Sequence, residues 1–179
     1  TRVVLIEAGP RILAAFDPTL SKHAARDLER LGVQIWTQAR VTEVHAQGVR
    51  LGSEALHAAT ILWAAGVQPS SLGRVLALPL DAIGRVRVKD DLSVEGYPNV
   101  FALGDMAHVV DQHGQTVPGL APAAMQEGRS AAANILADLK GKARQRFLYF
   151  DKGSMATIGR KKAVGQFGKF RFTGLLAWM

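Results

Sequence analysis

Two apolar runs bracket one helical stretch at the start of the chain, and that order restricts the fold more than any other feature. Residues 3–6, "VVLI", read as a continuous apolar strand closed by Glu7 and a Gly-Pro break. Residues 33–37, "VQIWT", read as the next strand. Between them Asp17-Pro18 predicts a helix start, with aspartate as N-cap and proline at the first helical position. Leu20, Ala24, Leu28 and Leu31 share one helical face, and Gly32 marks its end. Strand, helix, strand in this order implies a parallel α/β sheet. Apolar residues make up 48% of the chain and charged residues 21%, which suffices for a packed core.

Further along, "RVTEVHAQGVRLG" (40–52) alternates around a Gln-Gly turn and predicts a hairpin, a small antiparallel ribbon. "ATILWAAG" (59–66) predicts another buried strand ending in glycine. After Gly66 the texture loosens, with short strands and many turn residues, as at a crossing between domains. "VFALGDMA" (100–107) restores a strand. "LAPAAMQEGRSAAANILADLKG" (120–141) predicts a long alanine-rich helix ending at Gly141, and "GSMATIG" and "KAVGQFGKFRF" predict small strands beyond it.

Several classes are disfavoured. With no cysteine, a disulfide framework, a Cys-based zinc site or a redox dithiol is not expected within these residues, and no metal is expected. No signal-peptide pattern and no run of about 18 apolar residues is present. The net charge of +7 is uneven: residues 140–179 carry ten Lys and Arg against one acid, Asp151, so the basic character belongs to that stretch.

Three places could carry chemistry. Glu7, at the tip of a strand in a dinucleotide-binding fold, can accept hydrogen bonds from the ribose hydroxyls of NAD and repel a 2′-phosphate; a solvated strand-end acid is the alternative. The small residues of "WAAG" (63–66) would let a flat ligand approach the backbone, or serve tight sheet packing. Gly104 permits close backbone approach, and Asp105 can accept from a polyol hydroxyl at a strand's carboxyl end, unless it only caps the following turn. The helix starting near Pro122 follows, and a helix N-terminus favours anions or electron-rich ring atoms. No G-x-G-x-x-G occurs, and residue 1 already sits at the strand that normally comes second, so the chain reads as the C-terminal portion of something longer.

"VFALGDMA" followed by "LAPAAMQEG" resembles the flavin-binding segment of two-dinucleotide-fold flavoprotein reductases. "DKGSMATIGRKKAV" (151–164), with "VVLIEAGPRIL", resembles the type II, non-proton-pumping NADH:quinone oxidoreductases of bacterial membranes, collinearly over nearly the whole chain. The resemblance implies parts of two Rossmann-like domains, which bind FAD and NAD(P): residues 1–66 as the second half of an NADH-binding domain, 67–141 as part of an FAD-binding domain, and 142–179 as a basic segment near the quinone site and the membrane. It implies that Glu7 holds the adenosine ribose of NADH and that Ala65 and Gly66 lie near the nicotinamide cofactor. Gly104 and Asp105 would bind the FAD ribityl chain, and Ala124 and Met125 would approach the flavin ring. Gln126 would lie near the quinone, and Lys152 beside flavin and quinone, where a cation stabilises reduced flavin or supplies a proton.

One departure is Pro122, where many family members have glutamine; proline offers neither that side-chain amide nor a backbone N–H. The implied activity is FAD-dependent electron transfer from NADH to a membrane quinone, at the cytoplasmic face of the plasma membrane. Arg144, Arg146, Lys161, Lys162, Lys169 and Arg171, mixed with Phe147, Tyr149, Phe167, Phe170 and Phe172, would rest on an anionic surface. The alternatives are a related reductase with a soluble acceptor, or a non-enzymatic basic module that binds nucleotide or nucleic acid; no nucleic acid is expected under the leading reading. With both Gly-rich turns upstream, these residues alone are expected neither to retain FAD nor to oxidise NADH. Unpaired sheet edges make a homodimer an expectation.

Overall fold

The two leading apolar runs pair in parallel. β1 (Val3–Ile6) and β2 (Val33–Trp36) run in register from Val3↔Val33 to Ile6↔Trp36, with α1 (Pro18–Arg30) as the crossover. The computed structural model describes residues 1–179 and divides into two units, Thr1–Ala64 with Lys152–Met179, and Ala65–Asp151.

In the first unit Asp17 caps α1 as expected: its Oδ1 accepts from the Thr19 backbone N–H at 2.9 Å and the Thr19 hydroxyl at 2.6 Å, with Pro18 opening the helix. Leu20 and Ala24 are buried with Ile12 and Val164, and Leu5, Leu28 and Ile35 pack against them. Leu31 departs from the expected face. It lies past the last helical turn, where the chain swings towards Gly32 (φ +85°), and it is 54% exposed. Ser21 and Asp27 complete the buried face instead. The Ser21 hydroxyl accepts from Arg11 Nη1 at 2.6 Å, while Asp27 meets His23, Arg30 and Lys162.

The expected hairpin gains a strand. β3 (Glu43–His45), β4 (Gly48–Leu51) and β5 (Glu54–His57) form an antiparallel meander, because the Gly52-Ser53 turn returns the chain with Leu51 opposite Glu54. The expected buried strand over 59–66 does not form. Leu62 is 89% exposed and Trp63 64% exposed, and the run joins no ladder. The β1–β2 sheet has two strands only, and a run without a ladder partner leaves its backbone polar groups to water.

The second unit begins with a single helical turn, α2 (Leu72–Val75). β6 (Val86–Arg87) pairs in parallel with β9 (Ala107–His108), while β7 (Ser93–Val94) pairs antiparallel with β8 (Tyr97–Phe101). The apolar run Val100–Leu103 is therefore not a buried strand in full. β8 starts earlier and closes at Phe101, its partner is two residues long, and Val100 stays 40% exposed while Ala102 is buried. α3 (Ala121–Leu139) is the expected alanine-rich helix. Val86, Leu92, Val94, Ala123, Ala131 and Phe147 belong to one core. Two side chains tie the residues after α3 back onto it. The Asn134 amide donates to the carbonyls of Asp91 (3.1 Å) and Gln145 (2.9 Å) and accepts from the Gln145 N–H at 2.8 Å. Arg144 grips Asp138 with two nitrogens, donates to Asp91 Oδ2 at 2.9 Å, and lies 4.9 Å over the Phe101 ring.

The chain then returns to the first unit. β10 (Ser154–Gly159), β11 (Lys162–Phe167) and β12 (Phe170–Thr173) form an antiparallel sheet followed by the short α4 (Leu175–Trp178). Val164 enters the core beneath α1, and Gln166 Oε1 accepts from the Asp17 N–H at 2.9 Å.

Candidate cofactor-binding site

After β8 the chain makes one tight turn, Gly104–Met106, against the start of α3. Gly104 adopts φ +64°, a conformation that L side chains rarely take. A Cβ there would sit 3.4 Å from the Ala124 methyl, an ordinary contact, so it is the backbone angle rather than space that calls for glycine. The Gly104 N–H donates to Glu127 Oε2 at 2.6 Å, and Glu127 is only 3% exposed. Asp105 is exposed, and a Cβ at Gly119 would lie 3.0 Å from its Oδ1, so the absence of a side chain there leaves room for the carboxylate.

The turn thus gathers Gly104, Asp105, Gly119, Ala124 and Glu127. Gly119 and Glu127 escaped the sequence reading. A signal existed for Glu127: the buried residues of α3 are Ala123, Glu127, Ala131 and Asn134, a helical stripe in which an acid is out of place. Burial pushes the Glu127 carboxyl above its ordinary range; the Gly104 N–H works against this, and the neighbouring Asp105 charge adds to it. At the leading end of α3, Leu120 provides no side-chain cap, and the small side chains of exposed Ala121 and half-buried Ala124 leave the helix end open to a flat group. The arrangement can hold a polyol at Asp105 and set an electron-rich ring near the positive end of a helix dipole. Those features fit a flavin dinucleotide.

The Gln126 side chain is held by backbone groups on both sides. Its Nε2 donates to the carbonyls of Phe150 (3.0 Å) and Pro122 (3.1 Å), and its Oε1 accepts from the Phe150 N–H at 3.0 Å. Gln112 does the same for Tyr149, donating to its carbonyl at 2.9 Å and accepting from its N–H at 3.0 Å. Two amide side chains therefore clamp the extended stretch that leads to Asp151. Met125, next along α3, is 60% exposed.

Glu7 sits where β1 ends. Its N–H donates to the Trp36 carbonyl at 2.9 Å, extending the parallel pairing, and its Oε1 accepts from the Gly9 N–H at 2.6 Å. A local turn thus fixes the carboxylate by one oxygen. Ala65 and Gly66 are exposed and lie in no helix or strand, with Gly66 at φ +100°. Lys152 is exposed at the entry to the C-terminal sheet. Gly153, which follows it, has φ +80°, and a Cβ there would meet the Gln166 carbonyl oxygen at 2.5 Å. Gly104, Asp105 and Ala124 are brought together in the second unit, whereas Glu7 and Lys152 belong to the first.

On the C-terminal sheet Met155, Phe167 and Phe170 are exposed, as are Leu175, Leu176 and Trp178 of α4. Arg171 is paired with Asp17 at 2.8 Å and Lys162 with Asp27 at 3.7 Å. No helix is long and apolar enough to cross a membrane.

A family model described as pyridine nucleotide-disulphide oxidoreductase matches residues 1–128. A Mycobacterium tuberculosis protein named type II NADH:quinone oxidoreductase Ndh is 42% identical over 99% of this chain, which spans 40% of that relative. A Staphylococcus aureus type II NADH:quinone oxidoreductase is 34% identical over 94% of the chain, which spans 43% of it. Among solved structures, that of NDH2 from Plasmodium falciparum in complex with NADH superposes with a TM-score of 0.79 and 16% identity, covering 99% of this chain and 53% of that one. The last likeness concerns the fold.

Proposed function

We propose that this chain, which belongs to the pyridine nucleotide-disulphide oxidoreductase family, forms part of an FAD-dependent enzyme that passes electrons from NADH to a membrane quinone. The observation that carries the reading is the Gly104-Asp105 turn, set against the leading end of α3 in a chain 42% identical to a type II NADH:quinone oxidoreductase. FAD, when bound, would supply the redox chemistry, taking a hydride from NADH and passing two electrons on. The residues of this chain bind, orient and tune. Asp105 accepts from hydroxyls of the ribityl tail, and Gly104 and Gly119 let that tail approach. Ala124 and Met125 stand towards the ring. Glu7, with one oxygen already held by Gly9, turns the other to the adenosine ribose of NADH. Ala65 and Gly66 leave the nicotinamide side free of bulk.

Lys152, exposed at the entry to the C-terminal sheet, is the cation proposed to favour an anionic product or to donate a proton. Gln126 holds the stretch before Lys152 in place through Phe150, and its proposed part near the quinone is to fix that stretch. The basic, aromatic end of the chain rests on the cytoplasmic face of an anionic membrane, with aromatic residues at the interface and cations over the headgroups. The test is made on the enzyme that contains these residues. Oxidised flavin absorbance near about 450 nm and NADH-driven reduction of a short-chain quinone are the expected results. Asp105→Ala should release flavin, and an unchanged flavin content removes Asp105 from the site.

A further inference from the structure

Burying an ionisable carboxyl is costly unless it finds a partner, and aliphatic side chains could have filled the inner face of α3, as Ala123 and Ala131 do beside Glu127. The hydrogen bond recorded for the Glu127 side chain goes to the Gly104 N–H, 23 residues away in sequence. That amide belongs to the residue whose φ of +64° turns the chain and aims Asp105. We infer that Glu127 is a positioning residue of the cofactor site: by accepting the Gly104 N–H from inside the unit, it locks the turn from which Asp105 engages the polyol tail of the cofactor. The inference rests on the FAD reading above for its ligand, while the lock itself is a property of this chain.

What the lock requires is an acceptor oxygen at the right reach rather than a negative charge. An ionised Glu127 would set a second negative charge close to Asp105, and burial, reinforced by Asp105, favours its protonated form. A protonated carboxyl offers Gly104 a carbonyl oxygen just as an ionised one offers a carboxylate oxygen, so the geometry of the lock holds in either form. A glutamine at this position would have the same reach. An aspartate would withdraw the oxygens by about 1.5 Å, one carbon–carbon bond, which carries a 2.6 Å hydrogen bond past bonding distance.

The test compares Glu127→Gln and Glu127→Asp in the flavoprotein containing this chain, stripped of cofactor and titrated with FAD by fluorescence quenching. Glu127→Gln is expected to bind FAD within about twofold of the parent, and Glu127→Asp about tenfold more weakly. Equal affinity of Glu127→Asp and the parent overturns the inference, as does a Glu127→Gln loss as large as that of Glu127→Asp, which would assign the effect to charge. Amide hydrogen exchange at Gly104 is the second readout: slow in the parent and in Glu127→Gln, and fast in Glu127→Asp. Should the parent take up no FAD, the proposed function fails, and exchange at Gly104 still decides the lock; equal rates in all three proteins overturn it. Should Glu127→Asp fail to fold, Glu127→Met removes the acceptor oxygen at similar side-chain length and leaves Gly104 untouched. Fast exchange at Gly104 with weakened FAD binding in that variant supports the lock, and parent-like exchange and binding overturn it.

Discussion

Gly153, next to Lys152, offers the sharpest test of how this chain holds its C-terminal sheet. Gly168, in the β11–β12 turn, is its control. Both are in the left-handed region, at φ +80° and +54°, but a Cβ at 168 meets nothing within 4 Å, whereas one at 153 meets the Gln166 carbonyl oxygen at 2.5 Å and the Phe167 Cα at 3.2 Å. For Gly168→Ala only the backbone angle counts. The left-handed conformation costs an L residue about 1–2 kcal/mol, and the stiffer unfolded chain returns about 0.4–1, for a net loss of about 0–1.6 kcal/mol. For Gly153→Ala the obstructing atoms are backbone and cannot rotate away. Overpacking adds about 1–3 kcal/mol, for a total of about 1–4.6 kcal/mol. Gln166 is paired with Ser154 and its side chain accepts from Asp17, so displacement of that backbone would also reach the N-cap of α1. Urea unfolding followed by circular dichroism should place the Gly153→Ala midpoint well below that of Gly168→Ala. Equal midpoints would refute the steric half of this reasoning, and a larger loss at Gly168 would refute all of it.

In the enzyme containing this chain, Glu7→Ala should raise the Michaelis constant for NADH and relax discrimination against NADPH; unaltered preference in steady-state kinetics takes Glu7 out of the site. Lys152→Ala should slow quinone reduction more than flavin reduction in stopped-flow traces, and a defect confined to flavin reduction by NADH contradicts its placement. Acid stability should depend on Arg144. Its hydrogen bonds hold the Asp138 carboxyl below the ordinary range; at Asp91 burial opposes ionisation, but Ser93 and Arg144 outweigh it and that carboxyl is lowered too. Groups lowered by folding stabilise above their unfolded pKa and lose that contribution as pH falls through the folded value. Arg144→Met should therefore move the acid unfolding limb to higher pH, read by circular dichroism. Glu127 runs the other way: a raised carboxyl costs stability as pH climbs from the ordinary carboxylate range through its folded value, and Glu127→Gln should flatten that limb.

Much of the local architecture could be read directly, because its causes lie within a few residues. Asp17 caps a helix whose first residue is Pro18, and Gly32 and Gly141 turn left-handed just past the ends of α1 and α3. The two leading apolar runs needed only a crossover helix to become a parallel pair. The family resemblance was legible in the same way, since "VVLIEAG", "LGDMA" and "DKGS" are contiguous strings whose order survives along the chain.

Tertiary structure decided whatever depended on a partner far along the chain. "ILWAAG" has the composition of a buried strand, but a strand exists only where another backbone offers its hydrogen bonds, and none does. Leu31 fits the helical period, yet α1 ends before its turn is complete. Nothing in the sequence around Gln126 names its partner, and folding brings it Phe150, 24 residues on. Glu127 acquires its role only when folding brings the Gly104 N–H to its carboxyl. Capping, turns and periodicity are short-range energies written residue by residue, whereas satisfying a buried carboxyl or an extended backbone is a long-range requirement that only the packed chain resolves.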